Sequence, residues 1–218
     1  MTSVQLNEIK IMAIICIAIC IADFAVLFVL GTYYPGYSQL KNTISSLGAT
    51  ISPVSNVISI WWIGIGIVFI FFGIIFRKAF YENPKNSRLA SILIILYGMG
   101  EGIGSGLFKA DRIAGKMTQS FVFHDIAGAI GLIAAVVLPL VMPKVITKEN
   151  NPRFGHFSRI IFFIGLLTIA FFTIRFPAKS GWISYRGLWQ RLFMLNLYIY
   201  FITISIIMYQ KCSIFKMK

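Results

Sequence analysis

The run "LASILIILYGMGEGIGSGLF" (residues 89–108) contains a single charged side chain, Glu101. Its length falls within the ~17–25 residues that an α-helix needs to cross a bilayer. A charged side chain at that depth is costly and is found mainly where it faces the interior of a helix bundle. The run therefore predicts a membrane span with an inward-facing acid.

Five glycines of this run fall into two stripes on a helical wheel. Gly98, Gly102 and Gly106 share one side, and Gly100 and Gly104 lie nearly opposite. Small residues four apart allow helix backbones to approach closely. This pattern predicts a central span that is packed on both sides.

Apolar runs of similar length lie before and after this span. The predicted spans are approximately 11–31, 56–76, 89–108, 124–143, 158–175 and 188–209. Hydrophobic residues make up 58% of the chain, above the roughly 45–50% of soluble domains. Backbone groups in lipid need internal partners, and these runs are too continuously apolar for barrel strands. We therefore predict an all-α integral membrane protein, a six-transmembrane-helix bundle with a short outer interfacial helix, as a single domain over residues 1–218.

The formal net charge of +13 is high enough to raise the question of nucleic acid binding. The basic residues are instead divided between the loops, and the face that holds both termini carries more of them. By the positive-inside rule this predicts a multi-pass protein of the cell membrane with both termini in the cytoplasm. The expected partners are membrane lipids and not nucleic acid, and a homo-oligomer stays open.

The segment "GYSQLKNTISSLGATISPVSN" (36–56) is the most polar stretch between the first two spans. Leu40, Ile44, Leu47 and Ile51 follow the spacing i, i+4, i+7, i+11, which places them on one helical stripe. This predicts a short amphipathic helix in the outer interface or dipping into the mouth of the bundle. It would be either a passive lid or a ligand contact.

Three polar residues are predicted to lie at a similar depth, near the midplane on the outer side. Counting about 1.5 Å per residue from the outer span ends places Asp23, Glu101 and Asn196 at this level. We expect them to form the polar floor of a pocket.

Further polar residues are predicted to surround the outer opening of that pocket. Asn42, Ser45, Asp111 and His124 would line its rim. Arg186 and Arg191 would bind an anionic group through a bidentate fork, or would only extend toward the lipid headgroups.

Several chemistries are disfavoured by the residue inventory. A haem between spans needs paired intramembrane histidines, and a multi-histidine zinc centre fails because His124 and His156 are predicted on opposite faces. We expect no cofactor and no metal. A Ser–His–Asp arrangement and a Glu101–Asp23 acid/base pair are both allowed by placement, so catalytic residues stay unknown and enzymatic activity stays open.

Four motifs carry a family resemblance. The chain contains "YSQLKNTISSLG" (37–48), "GLFKAD" (106–111), a histidine at the head of the fourth span, and "GLWQR" (187–191) in this order. This order resembles the uncharacterised bacterial and archaeal membrane family known as domain of unknown function 998. The chain differs from the usual family pattern at Ser46, where Asp is common, and at Lys109, where Pro is common. The resemblance implies six helices and membrane residence, and no established activity.

The sequence thus favours a protein that binds a lipid-like or small amphipathic molecule in an outward-facing polar pocket, with modification of that molecule left open. The alternatives are a proton-coupled transporter or carrier subunit, in which Glu101 and Asp23 titrate, and a structural or partner-binding membrane protein.

Overall fold

The structure is a computed structural model that describes residues 3–149 and 151–215. Its α-helices are α1 (Ser3–Thr32), α2 (Ser55–Ala79), α3 (Pro84–Tyr97), α4 (Ser105–Leu107), α5 (Gln119–Val141), α6 (Phe154–Thr173) and α7 (Arg186–Phe215). A π-helical segment, Gly98–Gly104, joins α3 to α4. Short 3-10 helices cover Ile44–Gly48, Met142–Lys144 and Ala178–Ser184, and a two-stranded antiparallel hairpin pairs β1 (Arg112–Ile113) with β2 (Lys116–Met117).

The predicted membrane bundle is confirmed. Within the described residues, six helices are long and apolar enough to cross a membrane, with Pro84–Leu107 counting as one continuous third span. The first of them begins at Ser3, earlier than predicted, and the third begins at Pro84. Proline is favoured in the first turn of a helix because its missing N–H has no helical partner there.

The helices form a closed ring in chain order. Each span packs against the next one along the chain, and α7 returns to pack against α1. Both ends of the described chain therefore lie at one end of the bundle, which we call the termini end. An ion pair between Lys211 and Glu82 (2.8 Å) joins the last helix to the loop between the second and third spans there. Segments 33–54, 108–118 and 174–185 lie at the opposite end, which we call the loop end.

The third span is packed on both sides, as the glycine stripes predicted. A β-carbon added at Gly98 would lie 2.7 Å from the carbonyl oxygen of Gly66 on α2. One added at Gly100, on the other stripe, would lie 2.7 Å from the backbone nitrogen of Gly131 on α5. Only glycine allows helix backbones to approach this closely, so the two glycine stripes hold the third span between α2 and α5.

Aromatic side chains fill the interior toward the termini end. The ring of Phe69 lies 4.7 Å from that of Phe201 and 4.9 Å from that of Tyr97. Phe72 and Phe76, one and two turns further along α2, are also fully buried. This dense packing leaves the open interior space at the loop end.

The loop segment after α1 differs from its prediction. It forms a 3-10 helix of five residues, Ile44–Gly48, and not a longer amphipathic helix. Ile44 and Leu47 are buried, whereas Leu40 is 48% exposed and Ile51 is 82% exposed. On a 3-10 helix, side chains three residues apart lie on the same side. The predicted stripe assumed 3.6 residues per turn, and it therefore holds only for Ile44 and Leu47, which are three residues apart.

Candidate functional site

An internal cavity of about 80 Å³ lies at the loop end. It is enclosed by α1, α2, the third span, α5 and α7, and it is covered by the 3-10 helix Ile44–Gly48. Its polar lining residues are Asp23, Ser45, Tyr97, Glu101, Ser105, His124, Gln190 and Tyr198. We call this space the inner cavity; a volume of this size holds only a few water-sized molecules.

Glu101 enters the inner cavity from the π-helical segment. The backbone N–H of Ser105 donates to the carbonyl of Gly100, five residues earlier, instead of four. Such π-helical stretches are rare and occur frequently at functional sites. A β-carbon added at Gly128 would lie 3.4 Å from Glu101 Oε1, and one added at Gly131 would lie 2.9 Å from Glu101 Cγ. The glycines of α5 therefore make the room through which the Glu101 side chain passes.

The Glu101 carboxyl is left without a partner. In the part of the chain that the structure describes, no hydrogen bond or ion pair engages it. Glu101 is only partly exposed, and a carboxyl group that is largely removed from water is normally hydrogen-bonded, because leaving it without a partner is costly. An unpartnered acid that faces a cavity is thus a candidate contact for a bound molecule.

His124 lines the same cavity near the start of α5. Its Nδ1 lies 2.9 Å from the carbonyl oxygen of Phe108. A carbonyl oxygen only accepts, so Nδ1 donates, and Nε2 of the neutral ring is left as an acceptor. Gly128, the glycine beside the Glu101 carboxyl, lies one helical turn after His124 on α5. Glu101 and His124 therefore line the same cavity from the third span and from α5.

Asp23 faces the inner cavity but is already satisfied. Its Oδ1 accepts from Trp61 Nε1 (2.8 Å), and its Oδ2 accepts from the Tyr198 hydroxyl (2.6 Å). Only 3% of the residue is exposed. Asp23 thus links α1, α2 and α7, while Glu101 keeps its oxygens free.

Asn196, the third member of the predicted floor, lies elsewhere. Its side-chain amide donates to the carbonyl oxygen of Ile161 on α6 (2.9 Å). It does not line the inner cavity. The structure therefore brings Asp23 and Glu101 together but joins Asn196 to a different helix pair.

A larger open groove lies on the other side of the 3-10 helix. This loop-end groove has a volume of about 730 Å³. Its charged lining residues are Asp111, Arg112, Asp125, Arg175 and Arg186, and its apolar lining includes Ile51, Ile113, Met117, Phe121 and Phe172. Ser45 lines both the groove and the inner cavity. The short helix that carries Ser45 is therefore the wall between the two spaces.

Two predicted rim residues make local contacts near this wall. Asn42 is exposed, and its Oδ1 accepts from the backbone N–H of Ser38 (2.9 Å). Asp111 lines the loop-end groove and accepts from the backbone N–H (2.7 Å) and the hydroxyl (2.6 Å) of Thr50. The Asp111 carboxylate thus ties the hairpin loop to the end of the segment that covers the cavity.

Arg191 is buried and directed at the protein's own chain. Its Nη1 donates to the carbonyl oxygens of Asn42 and Gly187, each at 3.1 Å. Its Nη2 donates to the Tyr37 hydroxyl (2.6 Å) and to Gln39 Oε1 (2.5 Å). It lines neither the inner cavity nor the loop-end groove. We therefore assign Arg191 to holding the loop segment against α7.

The contact between Arg191 and Tyr37 is continued by a further hydrogen bond. The Tyr37 hydroxyl donates to the carbonyl oxygen of Thr43 (3.2 Å), directly before the 3-10 helix. Burial raises the pKa of Tyr37, and the Arg191 charge opposes that rise. The phenol therefore keeps its proton at neutral pH and can accept from Arg191 while it donates to Thr43.

Arg186 is placed differently. Its Nε donates to the carbonyl oxygen of Phe172 (3.1 Å), and its guanidinium carbon lies 4.9 Å from the centre of the Phe172 ring. It lines the loop-end groove and a smaller adjoining space of about 460 Å³. Arg112, Arg175, Phe176 and Ser184 complete the lining of that smaller space, which we call the arginine pocket.

The sequence reasoning gave no site role to two polar residues at the loop end. Gln190 accepts from the backbone N–H of Ile44 (2.7 Å), which ties the covering helix to α7, and it lines the inner cavity. It belongs to the quoted motif at 187–191, so that motif was the available signal. Lys109 donates through Nζ to the hydroxyls of Ser55 (2.8 Å) and Ser59 (2.7 Å). Burial lowers the Lys109 pKa, and the Asp111 charge opposes this shift.

Comparison with known proteins identifies a family. The model of a family described as "Protein of unknown function (DUF998)" matches residues 17–207. No curated protein matches the chain, and no solved structure does.

Proposed function

Because the chain belongs to the DUF998 family, whose function is unknown, we propose a function from the geometry of its site. In this proposal the protein binds a lipid-like or small amphipathic molecule, whose polar part enters the inner cavity and whose remainder lies in the loop-end groove. Whether the bound molecule is also modified stays open.

The single observation that carries this proposal is the Glu101 carboxyl, which lines the inner cavity without a hydrogen-bond partner in the described residues. A hydroxyl or amine donor on the ligand would satisfy the carboxyl, and His124 Nε2 would accept a hydrogen bond from a second N–H or O–H group of the ligand. The cavity alone is too small for a lipid-sized molecule. The wall at Ser45 therefore has to move, or only a small polar group passes it.

The direct test is to identify what the purified full-length protein retains. Leu132 lines the inner cavity, so Leu132→Trp fills it. The neighbouring Ile133 is 64% exposed on the bundle surface, so Ile133→Trp is the matched control. We expect mass spectrometry to find a molecule that is retained by the wild type and by Ile133→Trp and lost from Leu132→Trp. If all three preparations retain the same molecules, the cavity is not a binding site and a structural role is favoured.

We also propose that the loop end faces outward and that both termini are cytoplasmic. The excess of Lys and Arg at the termini end supports this orientation. Reporter fusions after Lys85 and Lys148 should report cytoplasm, and fusions after Lys41 and Lys179 should report the outside. The reverse pattern would place the proposed site on the cytoplasmic face.

A proton-coupled carrier is a second candidate, favoured by the contrast between the two cavity acids. Asp23 is held by two donors, so a proton would be exchanged at Glu101. In liposomes, a pH-dependent flux that disappears in Glu101→Gln and persists in Asp125→Asn, an exposed groove residue, would support the carrier. Ligand retention without any such flux would leave binding as the function.

A further inference from the structure

The arginine pocket brings together three cations from three separate parts of the chain. Arg112 lies in β1, Arg175 follows α6, and Arg186 is the first residue of α7. They share one space of about 460 Å³ with Phe176 and Ser184. The fold therefore concentrates positive charge at one point of the loop end.

Aromatic rings support two of these arginines. The guanidinium carbon of Arg112 lies 4.7 Å from the centre of the Phe121 ring, and that of Arg186 lies 4.9 Å from the Phe172 ring. A guanidinium over a ring face is attracted to it and keeps its edge donors free for other partners. Arg186 uses its Nε donor on the carbonyl oxygen of Phe172, and its Nη donors stay available for a ligand.

Carboxylates do not neutralise the cluster directly. Among the residues that the structure describes, none of the three arginines forms an ion pair. Asp125 lines the adjoining loop-end groove and offsets part of the charge, while Asp111 there is engaged by Thr50. The lining of the arginine pocket itself contains no acid. Three cations that outnumber the nearby carboxylates and form no ion pair with them favour a bound anion.

The geometry points to a phosphate-binding site in the arginine pocket, which takes the phosphate group of a phosphate ester. Planar guanidinium forks match the oxygens of phosphate and donate to them in pairs. Ser184 is not counted among the donors, because its hydroxyl donates to the carbonyl oxygen of Gly181 (2.7 Å). The site thus rests on the three arginines.

This site names the chemical class of ligand for the proposed function and in that respect rests on it. The same three arginines also line the loop-end groove, which extends to Ser45. A phosphate in the arginine pocket would leave the rest of the ligand along the groove, beside the exposed apolar side chains of Ile51 and Ile113. The ligand would then lie across the wall that covers the inner cavity.

The test uses the full chain in phosphatidylcholine nanodiscs and two probes. One probe is phosphatidic acid mixed into the disc lipids, with retained lipid measured by native mass spectrometry. The other is soluble glycerol 3-phosphate, with binding measured by calorimetry. Arg112→Gln and Arg175→Gln alter exposed side chains, so both variants should fold, which their melting temperatures will verify. Lys179→Gln removes one exposed charge from the same end and is the matched control.

We expect each arginine variant to weaken binding about tenfold or more, as is typical for a lost charged hydrogen bond, with Lys179→Gln close to wild type. Arginine-dependent retention of phosphatidic acid identifies a lipid phosphate, and arginine-dependent binding of glycerol 3-phosphate alone identifies a soluble ester. Absence of binding to both probes, or equal weakening by Lys179→Gln, overturns the phosphate site. If Leu132→Trp still abolishes retention of the copurified molecule in that case, the proposed function survives without this site.

Discussion

Replacing Gly66 with alanine tests the close contact between α2 and the third span. A β-carbon at this position of α2 would lie 2.5 Å from the carbonyl oxygen of Gly98 and 2.7 Å from the backbone nitrogen of Ile103. Both atoms belong to the π-helical segment, so no side-chain rotation can relieve the clash. Gly64 is the matched control, because it lies on the same helix and has nothing within 4 Å of its added β-carbon.

The two variants share every effect except the clash. Alanine is about 1 kcal/mol more favourable than glycine in a helix interior, and both variants gain this amount. Overpacking typically costs about 1–3 kcal/mol. Gly64→Ala should therefore be as stable as the wild type or more stable by up to about 1 kcal/mol. Gly66→Ala should be about 1–3 kcal/mol less stable than Gly64→Ala.

Thermal unfolding in one detergent, followed by tryptophan fluorescence, measures this difference. A change of 1 kcal/mol corresponds to roughly 2–4 °C for a chain of this size, so Gly66→Ala should melt roughly 2–12 °C below Gly64→Ala. Equal melting temperatures, or a lower one for Gly64→Ala, would refute the close packing of α2 against the third span.

Three further outcomes are expected. A cysteine at Leu47 should react with a water-soluble maleimide far more slowly than one at Ile51, because Leu47 is buried and Ile51 is exposed; equal rates would contradict the covering role of the short helix. Asp23→Ala should lower the free energy of unfolding by at least about 1–3 kcal/mol, since two buried donors lose their acceptor. The same change at the exposed Asp125 should have little effect in the same denaturation assay. Because burial lowers the Lys109 pKa from its ordinary 10.5, the unfolded chain binds more protons between the folded-state pKa and pH 10.5. Stability should therefore rise with pH in that window, and Lys109→Gln should flatten the rise; an unchanged slope would argue against the shift.

The membrane fold could be predicted from the sequence because its signals are local. A run of apolar residues decides a span by its own length, and the spacing of Gly98 and Gly100 decides which sides of the third span approach a neighbour. The structure confirms both predictions. Such local signals are reliable in a membrane because a helix in lipid has few other ways to satisfy its backbone hydrogen bonds. Neither prediction required knowledge of a distant part of the chain.

The candidate site could be predicted only in part, because the depth of a residue along a helix does not tell which way its side chain points around the helix axis. Counting residues placed Asn196 level with Glu101, but the rotation of α7 turns its amide toward Ile161. Arg191 was predicted to bind an anion or to extend toward the lipid headgroups, whereas in the structure it holds the loop segment. Its partners Tyr37 and Gln39 lie more than 150 positions earlier in the chain, and no local pattern could assign them.

The π-helical register at Glu101 was also beyond the sequence reasoning. The glycines were interpreted as packing residues alone, whereas their flexibility also permits the wider turn of Gly98–Gly104.

The type of helix in the loop segment after α1 was likewise not predicted from the sequence. Its apolar spacing assumed an α-helix, and the 3-10 geometry left Leu40 and Ile51 exposed.

The closed ring of helices has a consequence for how the protein is made. During synthesis the chain emerges from its N-terminus, so α7 enters the membrane after the other five spans described here. Until then Asp23 lacks the Tyr198 hydroxyl, its partner 175 residues later in the chain, and the ring stays open between α1 and α6. Gln190 and Phe193 on α7 also complete the wall of the inner cavity. The insertion of α7 therefore closes the ring, gives Asp23 its second donor and completes the wall of the inner cavity in a single step.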